Sequence, residues 1–232
     1  MIYLHEIHEI VGGKKEEFSE AMRSQWKPLI ERDDLAKVLW FFHHAVGTSV
    51  SYQAVSITAV KDWQAFGTIM DRTLTDPGWK AWDRDVSKLR KDVTGKVLIP
   101  NPLSPLQEVD FSKVGTEPDD GVPAVYLHDT GWAFPGMMDE YVDAWHTVLG
   151  PQMEAVQPPV ITITAGWRTC PGTGRFHEAI LLSRIHNWEL FSFIITFGEP
   201  PAQPGEWMIE GLKYRDRWES KILRTADWSP MK

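Results

Sequence analysis

Apolar and polar positions along this chain follow two periods in alternation. Residues 2–10 change side at every step, with Ile2 and Leu4 on one face and Tyr3, His5 and Ile7 on the other, which predicts a strand. After the Gly12-Gly13 turn, Phe18, Ala21, Met22, Trp26 and Leu29 recur at helical spacing over 14–31. Runs rich in β-branched and aromatic residues at 38–44 and 52–60, parted by a Gly47-Thr48-Ser49 turn, predict two more strands. Asp62 is placed to cap a helix bearing Trp63, Phe66 and Ile69. A short helix with Trp79 and Trp82 follows Pro77-Gly78, and residues 96–99 make a last strand. The order is β-α-β-β-α-β, the ferredoxin-like pattern.

That order is then read again. Tyr3-Leu4-His5-Glu6 returns as Tyr126-Leu127-His128-Asp129, an offset of 123 positions. At the same offset Gly13 meets Gly136, Phe18 meets Tyr141 and Pro28 meets Pro151. The offset becomes 125 where Gly47-Thr48 meets Gly172-Thr173, Ala54-Val55 meets Ala179-Ile180 and Trp63 meets Trp188. Strands are expected at 125–130, 160–168, 176–185 and 222–224, and helices at 137–153, from 188 and over 207–214. Pro77-Gly78-Trp79 has its echo in Pro204-Gly205-Glu206-Trp207. A repeat of half the chain length means two copies of one small domain. The expected division is a first ferredoxin-like repeat at 1–108, a linker at 109–122 inside a stretch rich in Pro, Asp and Gly, and a second repeat at 123–232. One such sheet carries helices on one face only, and its bare apolar face must be covered. The expected fold is therefore α+β, with two tandem ferredoxin-like repeats packed sheet to sheet as a pseudo-dimeric α+β barrel.

Composition narrows the function. A net charge of −8 opposes binding to phosphate backbones, so nucleic acid is not an expected partner. No apolar run reaches the roughly 20 residues of a membrane helix, and no leader is read at the start, so no membrane partner is expected. Cys170 is the lone cysteine, which fits a reducing, cytoplasmic setting and an inert thiol. The 12 Trp, 10 Phe and 5 Tyr are many for two small domains and suit a cavity with aromatic walls.

The opening strands with a glycine before the first helix (Gly13, Gly136), the run into Val46-Gly47, Asp76-Pro77-Gly78-Trp79 and the closing segment from Val97 to Leu106 carry a resemblance. Ile222-Leu223 through Trp228-Ser229-Pro230 echoes that ending. Together they resemble the NIPSNAP family of the dimeric α+β-barrel superfamily. The resemblance implies the barrel fold. It leaves activity open, because that superfamily includes cofactor-free monooxygenases, isomerases, dehalogenases, cyclases, haem proteins and binders.

Strand parity selects the side chains expected inside the barrel: Tyr3, His5 and Ile7; Tyr126, His128 and Thr130; Tyr52, Ala54, Ser56 and Thr58; His177, Ala179, Leu181 and Ser183; Thr162, Thr164 and Arg168; and Leu39, Phe41 and His43. Imidazoles and phenols against an apolar wall fit acid–base work on a hydrophobic, aromatic small molecule. His5 and His128 are the expected acid–base pair, with His177 and His43 as further catalytic candidates. Tyr3, Tyr126, Arg168, Tyr52 and Phe41 are the expected substrate-binding residues, Arg168 serving a carboxylate or developing oxyanion. A packing role for these histidines is the competing reading, since duplication alone preserves a structural residue. His5-Glu6-Ile7-His8-Glu9 is not a helical zinc motif, because His5 and His8 fall on opposite faces of a strand. Neither metal nor organic cofactor is expected. The expected activity is that of a cofactor-independent lyase, isomerase or cyclase. The alternatives are a haem or lipophilic-ligand binder and a cofactor-free monooxygenase. A homo-oligomer is compatible with all three.

Overall fold

The computed structural model describes residues 1–45, 52–116, 121–155, 157–189, 191–192 and 206–232. Val46-Gly47, the Gly47-Thr48-Ser49 turn, Pro204-Gly205 and linker residues 117–120 lie outside the described residues. The chain divides into two compact units. The first comprises Met1–Ile99, Glu108–Pro123 and Leu223–Lys232, and the second comprises Pro100–Gln107 and Ala124–Ile222.

The first unit contains β1 (Ile2–Ile10), α1 (Lys15–Ala21), a π-helical turn (Met22–Trp26), α2 (Lys27–Ile30), β2 (Ala36–His44), β3 (Gln53–Val60), α3 (Trp63–Thr75), α4 (Pro77–Val86) and β4 (Arg90–Pro100). Its strands pair antiparallel in the order β4-β1-β3-β2, the ferredoxin-like arrangement. The helix expected over 14–31 is present but widened in the middle. Pro28 has no N–H to give, and the N–H of Lys27 reaches back to the carbonyl of Met22. Asp62 caps α3 through Ala65 N–H at 2.7 Å, as its position predicts. Asp76 caps α4 through Gly78 N–H at 2.7 Å. Trp26 meets Trp79 at 5.1 Å and Trp82 at 5.6 Å, filling the space under these helices.

The His8 ring lies 5.2 Å from Phe18 of α1, so the even-numbered residues of β1 face the helices. Tyr3 and His5 then face away, as expected. Cross-strand partners in an antiparallel ladder share a face. His5 pairs with Ile57 and Glu6 with Ser56, which reverses the parity expected for β3. Ala54, Ser56 and Thr58 lie under the helices, and Val55 and Ile57 share the helix-free face. From Ala54 to Val60 every residue of β3 is buried, so no polar side marks the sense of the alternation. In β2 a bulge between Val38 and Trp40 shifts the register. Phe41 and His43 therefore pair with Ser56 and Ala54 on the helix side, opposite to expectation.

The second unit contains β5 (Val125–Trp132), α5 (Met138–Ala144), a π-helical turn (Trp145–Leu149), α6 (Gly150–Glu154), β6 (Ile161–Thr169), β7 (Glu178–Ile185), α7 (Glu206–Glu210), a 3-10 turn (Gly211–Lys213) and β8 (Arg217–Thr225). Its order is β8-β5-β7-β6. The bulge recurs at the equivalent place, between Ile163 and Ala165. The last residues of β8 belong to the first unit, where His43 pairs with Arg224. Among the described residues no helix is long and apolar enough to cross a membrane.

Each unit also takes in a tail whose bonds repeat. In the second, Gly166 N–H donates to Ser104 Oγ at 2.9 Å and Asn101 N–H donates to Gly166 O at 3.0 Å. In the first, Phe41 N–H donates to Ser229 Oγ at 3.1 Å and Ala226 N–H donates to Phe41 O at 2.9 Å. Both serines are buried. Their hydroxyls satisfy an N–H just past each bulge, where the ladder has lost its step. Ser104→Ala and Ser229→Ala should each lower stability by about 1–3 kcal/mol through an orphaned buried N–H. The denaturant midpoint measures this, and Ser→Cys should recover only part of the loss.

Candidate functional site

The helix face of the second unit holds a cavity of about 420 Å³. Leu127 and Asp129 of β5 and Leu181 of β7 form its floor, and Trp145 and Leu149 of the π-helical turn form one wall. Trp207 of α7, Arg215, and Trp218 and Ser220 of β8 also line it, with Gln152 and Phe191 among the rest. Four polar groups converge on this mostly apolar space. Asp129 accepts from the Ser220 hydroxyl across β5 and β8. Burial raises the Asp129 carboxyl to about 6, although the Ser220 hydrogen bond and the Arg215 charge pull the other way. Arg215, only 3% exposed, donates from Nε to the Tyr141 hydroxyl at 3.0 Å. Its guanidinium lies 4.2 Å from the Trp218 ring centroid. Burial also raises the Tyr141 phenol, against the pull of Arg215.

The first unit shows why the second has room. Glu6 stands where the repeat has Asp129, and its carboxyl is likewise raised by burial. There it ends a filled network. Arg90 donates to His8 Nδ1 at 3.1 Å, so the ring carries its proton on Nε2 and donates to Ser56 Oγ at 3.0 Å. Ser56 in turn donates to Glu6 at 3.3 Å. Burial first, and then the Arg90 charge, hold the His8 ring down at about 3. The repeat offset aligns His8 with Gly131, Phe18 with Tyr141 and Trp26 with Leu149. A Cβ on Gly131 would overlap the Tyr141 hydroxyl. Removing the histidine side chain thus admits the phenol, and replacing the indole by Leu149 opens the space that Trp26 fills.

The sequence-predicted residues are distributed as follows. Tyr3 and His5 in the first unit, and Tyr126 and His128 in the second, are buried on the helix-free face of their own sheet. Burial, and then the charge of Glu108, raise the Tyr3 phenol. Phe41 stacks on Trp228 at 4.8 Å on the helix side. His43 shares that side and is held down at about 4, chiefly by burial. Arg168 is turned to the helix side by the bulge in β6 and pairs with Asp139 of α5 at 2.7 Å. Ala179, Leu181 and Ser183 also lie on the helix side, because they pair with Gly131, Asp129 and Leu127. Tyr52 and His177 stand at equivalent turns just before β3 and β7, with φ of 63° and 56°. Their carbonyls accept Ile10 N–H at 2.7 Å and Ala133 N–H at 3.0 Å. These two residues therefore end hairpins instead of projecting from strands. Tyr52 is 57% exposed. Among the described residues no three His, Cys, Asp or Glu gather as metal ligands would.

Sequence reasoning passed over Asp129, Arg215 and Tyr141. The available signal was the carboxylate at the same strand position in both copies, following two apolar residues on that face (Ile2 and Leu4, Val125 and Leu127). Residues 5–105 match the NIPSNAP family. Among solved structures, an anthrone oxidase-like protein is similar at 10% identity with a TM-score of 0.60, over 97% of this chain and 91% of that one. A "putative monooxygenase" from Lactobacillus acidophilus is similar at 12% identity with a TM-score of 0.56, over 96% of this chain and 93% of that one. A NIPSNAP domain protein from Burkholderia xenovorans aligns at 18% identity with a TM-score of 0.39, over 45% of this chain and 99% of its own. No curated protein matches the chain. The full-length likenesses establish the fold, an α+β fold of two ferredoxin-like repeats of the dimeric α+β-barrel class.

Gly131→Ala should displace Tyr141, break its bond to Arg215 and cost about 1–3 kcal/mol by overpacking. Chemical denaturation measures the cost. Gly131→Ala combined with Tyr141→Phe should recover part of it, since the overlap is with the hydroxyl.

Proposed function

We propose that this NIPSNAP-like protein of the dimeric α+β-barrel superfamily is an acid–base enzyme for an apolar, aromatic small molecule, with the cavity of the second unit as its active site. The observation that carries the reading is Asp129, a carboxyl raised to about 6 inside a cavity walled by Trp145, Trp207 and Trp218. Such a base is largely ionised at neutral pH and still basic enough to take a proton from an activated C–H or O–H. Ser220 orients the carboxylate, and the apolar walls exclude water that would level its basicity. The step is transfer of the substrate proton to an Asp129 oxygen, with the electron pair left delocalised over the substrate. Return of that proton to another atom gives isomerisation, and loss of a leaving group gives elimination.

A second reading begins with the same step. The names of two structural neighbours, an anthrone oxidase-like protein and a monooxygenase, favour capture of the deprotonated substrate by dioxygen. The sequence-derived acid–base pair His5 and His128 stays a separate proposal, supported by the full burial of both rings at equivalent positions.

Anthrone, whose ring C–H is acidic, is a suitable probe. Wild-type protein in D2O should accelerate its deuterium exchange, read by NMR without oxygen. Asp129→Asn should lower that rate roughly 100-fold or more, and the rate of the wild type should rise with pH through about 6. Oxygen uptake in air separates the monooxygenase reading. Undiminished exchange in Asp129→Asn, with loss in His128→Ala, would transfer the role to the histidine.

The raised carboxyl has a consequence for stability as well. The fold favours protonated Asp129, so this residue's contribution to stability is present at low pH and declines as pH rises through about 6. Asp129→Asn should therefore flatten that part of the stability–pH curve, as followed by thermal melts between pH 4 and 8.

A further inference from the structure

Arg215 is a buried cation without a carboxylate partner within ion-pair distance among the described residues. Such a group is costly to bury unless something compensates it. Its contacts fix one edge and the plane of the fork. Nε is spent on the Tyr141 hydroxyl. Nη2 lies against Gly211, where a Cβ would stand 3.4 Å away. The π face of the guanidinium rests on Trp218. Nη1 is buried and has no hydrogen-bond partner among the described residues, and Arg215 lines the cavity. The fork is thus held on three sides, with both N–H groups of Nη1 unspent.

We infer that the ligand of this cavity is a planar aromatic monoanion, whose conjugated oxygen anion meets Nη1 of Arg215 and whose rings lie against the indoles of Trp145, Trp207 and Trp218. The inference rests on the reading of this cavity as the active site and narrows its substrate class. The cavity size suits roughly two or three fused rings. One cation beside a carboxylate suits a ligand with one negative charge; a phosphate dianion would meet Asp129 unfavourably. The same geometry accepts charge that develops during reaction. When the proton of a neutral substrate moves to Asp129, the electron pair passes through the conjugated rings to an oxygen, and the monoanion so formed is the species Arg215 holds as the carboxyl becomes neutral. The negative charge thus moves from Asp129 to the oxygen at Arg215, with no net change of charge in the cavity.

The test is a binding titration read by tryptophan fluorescence, with 2-naphthoate, its neutral isostere 2-naphthamide, and 2-naphthol as probes. Wild-type protein should bind 2-naphthoate or the 2-naphthol anion at least tenfold more tightly than 2-naphthamide. Preference for the naphthoate assigns a carboxylate, and the naphtholate absorption band of bound 2-naphthol below the pH of its free ionisation assigns a phenolate or enolate. Arg215→Met should abolish the preference, and Arg215→Lys, which keeps a charge without the fork, should keep part of it. Equal binding of all three probes to the wild type overturns the inference whatever the variants do. Asp129→Asn separates this result from the proposed function, because it should bind 2-naphthoate at least as tightly while losing anthrone exchange. Exchange that survives in Asp129→Asn, alongside Arg215-dependent binding, removes the proposed base and leaves the anion site standing.

Discussion

The β-bulges of β2 and β6 decide what each helix layer rests on. An extra residue at Leu39 and at Thr164 reverses the side on which the rest of the strand points. In the second unit this brings Gly166 under the helices, where a Cβ would stand 3.1 Å from the Trp145 ring. With glycine there, Trp145 can settle against the strand and wall the cavity. The bulge interrupts the ladder, and the buried hydroxyls of Ser229 and Ser104 take up the freed N–H groups of Phe41 and Gly166. Sheet irregularity, tail and indole are thus parts of one solution to a backbone hydrogen-bonding requirement.

The two copies differ in how the space under their helices is filled. In the first unit, His8, Phe18 and Trp26 fill the space under the helices, and Glu6 is absorbed in a chain running through Ser56 and His8 to Arg90. In the second, Gly131, Tyr141 and Leu149 at the matching positions leave a cavity, and the equivalent carboxylate, Asp129, faces it. The half-buried carboxylate is a network member in the first copy and faces open space in the second. Two side chains shrink, His8 to Gly131 and Trp26 to Leu149, while Met22 is replaced by the larger Trp145 in the cavity wall and Phe18 gains a hydroxyl as Tyr141.

The repeat, the element order and the helix caps were legible because they rest on local signals. Period-2 and period-3.6 alternation, Asp62 before its helix, Pro77-Gly78 at the start of the next, and glycines after the first strands each act within a few residues. The strand expected at 96–99 extends over Arg90–Pro100 because its first half is exposed and polar, so it carries no apolar alternation to read. Likewise β8 begins at Arg217, well before the apolar residues at 222 and 223 that mark it. The expectation for Tyr52 and His177 failed for another reason: each adopts a left-handed backbone that turns it out of the strand.

The amino-acid order by itself determined that there are two ferredoxin-like copies, that Tyr3, His5, Tyr126 and His128 share one face of their strands, and that aromatic side chains are plentiful enough to wall a cavity. Only the tertiary structure decided which face of β2, β3, β6 and β7 meets the helices. Strands buried on both sides have no polar edge to orient them, and a single bulge reverses their parity without leaving a local signature. It alone also brought Asp129 of β5, Tyr141 of α5 and Arg215 before β8 to one cavity. Their juxtaposition depends on pairing between segments far apart in the chain, and no local periodicity encodes it.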